Sequence, residues 1–126
     1  MKSKKELKDG YKEKKFKMGV FQIRNIINNK IYIDSSTDLV AIWNRHKYQL
    51  YNGLHLNITL QKEWTEFGQE NFIYEILSEI KQDETRTIDY RKEVKQFEAM
   101  FIEELQPFDE SGYNIRRVES PARKGT

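Results

Sequence analysis

Residues 18–34 read MGVFQIRNIINNKIYID, and this stretch predicts a β-hairpin. In the segment 18–25, apolar residues such as Val20 and Ile23 stand among polar neighbours, as in a strand with one buried face. Residues 30–34 have the same character. Between the two segments lies Asn28-Asn29, and asparagine tolerates the positive φ angle that a tight turn needs. The fold is therefore expected to begin with two antiparallel strands.

Three helices and a further strand are predicted after the hairpin. In chain order, the predicted elements are strands at 18–25 and 30–34, helices at 39–50 and 58–67, a strand at 71–77 and a helix at 83–106. The helices follow from apolar residues that recur every three or four positions, and the third strand follows from its β-branched and aromatic residues. Ser35, Ser36 and Thr37 offer side-chain oxygens that can cap the first helix. The order β-β-α-α-β-α predicts an α+β fold, in which helices flank a small three-stranded antiparallel sheet.

The length of 126 residues predicts one domain, which we place at 18–116 between a basic tail at 1–17 and a second basic tail at 117–126. The absence of cysteine excludes disulfides, thiolate metal sites and thiol nucleophiles. No apolar run is as long as a membrane span, and no signal-peptide pattern follows the basic start. These features predict a cytoplasmic protein with no membrane partner, and no small-molecule substrate is expected.

Positive charge is concentrated at the two ends of the chain. Residues 1–17 hold eight lysines and three acidic residues, a net charge of +5, and residues 116–126 carry +3. One interpretation is that the lysines form a solvated tail. The other is an arm that contacts DNA phosphates, with Lys12, Lys14, Lys15 and Lys17 as candidate nucleic-acid-binding residues. The intervening residues carry −6, which leaves a protein partner as a further option.

The hairpin also carries a resemblance to a known family. Gly19-Val20-Phe21 and Tyr32-Ile33-Asp34, ten residues apart, resemble the two tripeptides after which the GIY-YIG nuclease family is named. Further similarities follow in the family's order, namely Trp43-Asn44-Arg45-His46, Gly53-Leu54-His55, Leu60-Gln61-Lys62, Phe67-Gly68 and Gly112-Tyr113-Asn114-Ile115. The resemblance extends over residues 18–116 and is greatest to the phage and intron homing endonucleases. It implies the GIY-YIG fold and DNA as the expected partner.

The resemblance implies a metal-dependent site for phosphodiester hydrolysis. By position in the motifs, Tyr32 corresponds to a catalytic tyrosine, Glu98 to the metal ligand and Asn114 to a supporting residue. A carboxylate suits Mg²⁺ or Mn²⁺, which are the cofactors that the resemblance implies. Glu98 can also be interpreted as one of several acidic residues on the surface of the last helix.

Three positions depart from the family's pattern and are interpreted as degenerate. Phe21 has the ring of the first motif tyrosine but no hydroxyl group. Asp34 replaces a glycine with a negative charge that would repel a phosphate, unless its side chain caps the following helix. Ile42 stands where the resemblance places a catalytic arginine. Loss of one such donor costs about 10²–10³ in rate.

Arg45 and His46 are the candidate catalytic residues that could replace the missing arginine. They follow Ile42 by about one helical turn, so that either side chain can reach the same concavity. His46 can also be a packed, hydrogen-bonded histidine, whereas His55 is expected to be solvated. The favoured hypothesis is a degenerate GIY-YIG domain with weak or no cleavage, which acts by binding nucleic acid or a protein. The alternative is an active Mg²⁺-dependent DNA endonuclease that uses Arg45, His46 and Glu98.

Overall fold

The computed structural model describes residues 16–83, 85 and 87–116, and in these residues a three-stranded antiparallel sheet is covered by helices. The elements are β1 (Met18–Asn25), β2 (Ile31–Ser36), α1 (Leu39–Tyr51), α2 (Ile58–Phe67), a short 3₁₀ helix (Gln69–Asn71), β3 (Phe72–Ile80) and α3 (Tyr90–Leu105). The strand order is β2-β1-β3. The predicted α+β class and the order β-β-α-α-β-α are confirmed. No helix within the described ranges is long and apolar enough to cross a membrane.

The hairpin closes at the predicted asparagines. Asn29 adopts a left-handed φ of 62°, and its N–H donates to the carbonyl of Asn25 at 2.7 Å. In the register of β1 and β2, Phe21 lies opposite Asp34. The two departures on the hairpin are therefore cross-strand neighbours in the structure.

The first helix begins at a different cap from the predicted one. Asp38 is its N-cap residue, and its side chain accepts a hydrogen bond from the backbone N–H of Ala41. The prediction that Ser35, Ser36 or Thr37 caps this helix is therefore wrong, and so is the alternative that Asp34 does. β2 continues to Ser36, which keeps residues 34 and 35 inside the strand.

The last helix is shorter than predicted, and the third strand is longer. α3 begins at Tyr90 instead of residue 83, because Asp89 caps it by accepting a hydrogen bond from the N–H of Lys92. Residue 83 lies outside the helix, where Asp83 accepts hydrogen bonds from the N–H and hydroxyl of Thr85. Such side-chain acceptors compete with helical hydrogen bonds and favour a turn.

The hydrophobic core lies between the sheet and the helices. Its buried members are Phe21, Ile23, Leu39, Leu50, Leu60, Trp64, Phe72 and Tyr113. Ile42 and Trp43 pack against this core from α1, and the Trp43 ring stacks on Tyr74 with centroids 4.8 Å apart. Both tryptophans thus serve packing, Trp64 as a buried core residue and Trp43 at the edge of the core. The packing fixes α1 beside β1 and β2, and this determines the geometry of the site.

Candidate active site

Asp34, His46 and His55 form a continuous chain of hydrogen bonds where β2, α1 and the following loop meet. His46 Nε2 lies 3.0 Å from Asp34 Oδ2, and His46 Nδ1 lies 2.8 Å from His55 Nε2. His55 Nδ1 accepts the backbone N–H of Asn57 at 3.0 Å. Since that N–H can only donate, neutral His55 carries its proton on Nε2 and donates to His46, which in turn donates to Asp34. All four imidazole nitrogens of the two histidines are therefore engaged.

Both histidines are buried, His46 at 5% and His55 at 8% exposure, so the prediction of a solvated His55 is wrong. The loop after α1 folds inward because Asn57 and His46 supply partners for both nitrogens of the His55 ring. Burial and the neighbouring His46 lower the pKa of His55 to about 4. Burial alone would raise the pKa of Asp34, but hydrogen bonds from His46 and the Ser35 N–H hold it below its ordinary value.

The lowered pKa of His55 predicts an acid-sensitive fold. In the unfolded chain His55 takes up a proton near pH 6.5, whereas in the folded protein His55 stays neutral down to about pH 4. Stability is therefore complete above pH 6.5 and falls as the pH drops towards 4, by about 2–3 kcal/mol in the free energy of unfolding. Urea titrations between pH 7.5 and 4.5 measure this loss. His55→Gln should flatten the profile, and identical profiles for the two proteins would contradict the assignment.

Glu98 lies next to the hydrogen-bonded residues Asp34, His46 and His55, and Ser35 and Lys95 connect it to Asp34. Its Oε1 accepts hydrogen bonds from Ser35 Oγ at 2.6 Å and from Lys95 Nζ at 3.1 Å. Lys95 Nζ also lies 3.8 Å from Asp34 Oδ1. The Glu98 side chain is only 16% exposed and borders a cavity of about 480 Å³. The predicted ligand position therefore lies at the edge of a concavity, not on the open face of α3.

Glu98 provides one carboxylate to which a hydrated divalent ion could bind. Mg²⁺ is commonly held by one or two carboxylates and retains several waters. Within the described residues, no group of three or more metal-binding side chains occurs, so Glu98 would be the protein ligand and water would fill the other positions. The Lys95 ammonium is the direct competitor for Oε1.

Tyr32 adjoins the two histidines, and Asn114 lines the same cavity as Glu98. The Tyr32 ring packs edge-on against His46 and His55, with centroids 5.7 Å and 5.8 Å away. Burial and the charges of Asp34 and Glu98 raise the pKa of Tyr32, so its hydroxyl stays protonated at neutral pH. Asn114 pairs with the backbone of Ile33, accepting its N–H at 2.8 Å and donating to its carbonyl at 2.9 Å. This pairing holds the middle of β2 in place.

The remaining predicted residues differ in their access to the site. Phe21 is fully buried and its ring contacts His46 and Tyr74. Ile42 is half-buried on the core face of α1, one turn before His46. Arg45 is exposed and makes no hydrogen bond or ion pair with any residue that the structure describes. Its positive charge offsets a small part of the rise in the pKa of Tyr32, so Arg45 lies within electrostatic range of that hydroxyl.

Most residues of the two predicted basic tails lie outside the part of the chain that the structure describes. Lys17 is exposed beside β1. Lys12, Lys14 and Lys15 lie outside the described residues, as do residues 117–126. The boundaries of the domain at 18 and 116 and the role of the lysines therefore stay predictions.

Sequence reasoning missed Lys95, Ser35 and the buried state of His55. Lys95 precedes Glu98 by three residues, and this spacing brings side chains together on a helix. That signal was present in the sequence. Ser35 was interpreted as a helix cap, and the structure instead has it donate to Glu98 from β2.

The fold and the similarity to solved catalytic domains define a class: the chain belongs to the GIY-YIG nuclease family. The catalytic domain of the homing endonuclease I-TevI is 33% identical with a TM-score of 0.65, covering 79% of this chain and 99% of that domain. A point mutant of the I-TevI catalytic domain is 32% identical with a TM-score of 0.66, covering 82% of this chain and 98% of that one.

A full-length relative shows the same similarity. Intron-associated endonuclease 1 of Enterobacteria phage T4 is 35% identical over 99 residues, which are 79% of this chain. The matched part is 37% of that protein, so this chain spans little more than a third of its length. No protein-family model matches the chain.

Proposed function

We propose that this GIY-YIG domain binds DNA and cleaves it weakly or not at all. The observation that carries the proposal is the hydrogen-bond chain of Asp34, His46 and His55, in which every ring nitrogen already has a partner. A general base or acid must reach the reacting atoms with a nitrogen that is free to exchange a proton. Neither histidine has such a nitrogen while these hydrogen bonds are intact.

Two further positions lack the groups that cleavage needs. Phe21 is fully buried and has no hydroxyl to direct at water or phosphate. Ile42 packs on the core, so α1 offers no guanidinium at that position to offset charge on the phosphate. Loss of one such donor slows a reaction by about 10²–10³.

DNA binding is supported by the relatives, which are named as intron and homing endonucleases, and by charge. Arg45 and Lys95 are exposed cations at the site, and Lys17 begins the basic N-terminal segment. Glu98 is the residue that would hold Mg²⁺ or Mn²⁺, and such an ion would supply positive charge opposite a phosphate. The negative net charge of residues 18–115 keeps a protein partner as the second kind of ligand to test.

An active endonuclease is the alternative, and the position of Arg45 favours it. Its guanidinium is exposed on α1 and acts on Tyr32. An arginine there could offset charge on a phosphate in place of Ile42. In that case Tyr32, Arg45 and Glu98 would form the working site.

Plasmid nicking and DNA binding, measured together, distinguish the proposed DNA-binding domain from an active endonuclease. We expect salt-dependent DNA binding and slow nicking with Mg²⁺ or Mn²⁺. Arg45→Ala should weaken binding, but at protein concentrations that saturate the DNA it should leave the slow nicking rate within about threefold, because the proposal gives Arg45 a role in binding and none in catalysis. Glu66→Gln, an exposed change on α2, is the control for altered charge. Rapid nicking that is lost in both Arg45→Ala and Glu98→Gln, but not in Glu66→Gln, would replace the proposal with the alternative.

A further inference from the structure

Two hydrogen-bond donors and one cation converge on the carboxylate of Asp34. Oδ2 accepts from His46 Nε2 at 3.0 Å, while Oδ1 accepts from the Ser35 N–H at 2.8 Å and lies 3.8 Å from Lys95 Nζ. An imidazole, a backbone N–H and an ammonium are also the groups with which proteins hold phosphate oxygens. They come from β2, α1 and α3, so the packing of the whole domain positions them.

The carboxylate that these donors hold is itself accessible. The Asp34 side chain is 20% exposed, whereas the side chain of its partner His46 is 7% exposed. An anion arriving from solvent would therefore meet Asp34 before it could reach the His46 N–H. Asp34 also lies in the site of the proposed function, since Lys95 joins it to Glu98.

The charges around Asp34 balance while its carboxylate is present. Lys95 and Arg45 are the cations of the cluster, and Asp34 and Glu98 are its anions. Removal of the Asp34 carboxylate leaves an excess of one positive charge and frees two N–H donors. Both changes favour the binding of an oxyanion.

We infer that Asp34 is an internal occupant of an oxyanion site formed by His46 Nε2–H, Ser35 N–H and Lys95, and that a phosphate group binds there only when this carboxylate is absent. The inference deepens the proposed function, on which it rests for the relevance of phosphate. It explains weak cleavage by occupation: the donors that a substrate phosphate needs are already bound to the protein's own carboxylate.

Phosphate binding by Asp34→Ala tests the inference. The unmodified protein, Asp34→Ala and the charge control Glu66→Ala are titrated with inorganic phosphate at constant ionic strength, and the ring nitrogens of His46 are followed by NMR. We expect Asp34→Ala to bind at least about tenfold more tightly than the other two, the scale of one hydrogen bond to a charged group. Equal affinity in all three proteins, with the fold of each intact, would overturn the inference.

Asp34→Asn separates occupation of the site from charge. The asparagine oxygen can still accept from His46, so the site stays filled although the negative charge is gone. We expect the affinity of Asp34→Asn for phosphate to rise much less than that of Asp34→Ala. An equal rise in the two variants would contradict the inference that the side chain at position 34 occupies the site. If Asp34→Ala does not fold, Asp34→Gly, which also empties the site and has the residue of the family's motif, takes its place, and an affinity for phosphate equal to that of the unmodified protein would overturn the inference.

A dinucleotide with one phosphodiester, titrated in the same way, distinguishes the source of the phosphate. If Asp34→Ala binds both probes more tightly than the unmodified protein does, the site accepts the phosphodiester of a nucleic-acid backbone. If its affinity rises for inorganic phosphate alone, the site accepts only free or terminal phosphate. These measurements require no cleavage. Rapid nicking by the unmodified protein would end the proposed function, while the phosphate comparison would still decide whether Asp34 fills an oxyanion site.

Discussion

The double variant Asp34→Gly, Ile42→Arg is expected to nick supercoiled DNA with Mg²⁺ at least about 10²-fold faster than the unmodified protein, the scale of one restored charge-stabilising donor. Ile42 precedes His46 by four residues on α1, so both side chains lie on the same face of the helix. An arginine at 42 would therefore project beside the donors that now hold Asp34. Removal of Asp34 releases His46 Nε2 for the substrate.

Both changes are needed for the full effect. With Asp34 present, a guanidinium at 42 would pair with that carboxylate, so Ile42→Arg alone should gain little. Asp34→Gly alone frees His46 but restores no cation on α1. The two substitutions should thus be more than additive, as expected for residues that share a partner. Ile42→Arg also replaces a half-buried apolar side chain, and a modest loss of stability is expected as the new chain extends towards water.

Controls on the same helix make this result specific. Val40 is 63% exposed on α1, so Asp34→Gly, Val40→Arg adds the same charge to the helix away from the core face. Glu98→Gln, added to the double variant of interest, should return nicking to the unmodified level if metal binding at Glu98 is required. A double variant no faster than its Val40 counterpart would show that more than the missing arginine and the added carboxylate prevents catalysis.

Local signals in the sequence were sufficient for α2 and for the turn of the hairpin. α2 was predicted at 58–67 and lies at Ile58–Phe67, because Asn57 caps its start and Gly68, with a φ of 91°, follows its end. The hairpin turn depended in the same way on Asn29, whose positive φ a short polar side chain tolerates. Such signals involve only residues within a few positions of each other, so the sequence displays them directly.

The site depends on contacts that the sequence does not display. Ser35 and Glu98 are 63 residues apart, and only the packing of α3 on β2 brings their oxygens within 2.6 Å. The residues on either side of His55 have the composition of a solvated loop. Its burial follows instead from hydrogen-bond partners supplied by α1 and by the Asn57 backbone. The motif could indicate which residues belong to the site, but it could not show that Asp34 binds His46.

Gly19→Ala is expected to destabilise the domain by at least about 3 kcal/mol, through backbone strain and overpacking together. Gly19 lies in the central strand β1, between Ser36 of β2 and Glu79 of β3. A Cβ atom added there would lie 1.9 Å from the carbonyl oxygen of Ser78, which is backbone and cannot rotate away. Its φ of +155° is one that residues with side chains rarely adopt.

Gly53→Ala is the matched control, since it isolates backbone strain from the clash. Gly53 has a φ of +70° and no atom within 4 Å of an added Cβ, so the same substitution should cost only about 1 kcal/mol. Urea unfolding of the two variants measures the difference. Equal losses would mean that β3 shifts freely away from Gly19. A much larger loss at Gly19 would instead show that the first glycine of the motif is required because the central strand needs close contact with β3, a requirement that holds whether or not the domain cleaves DNA.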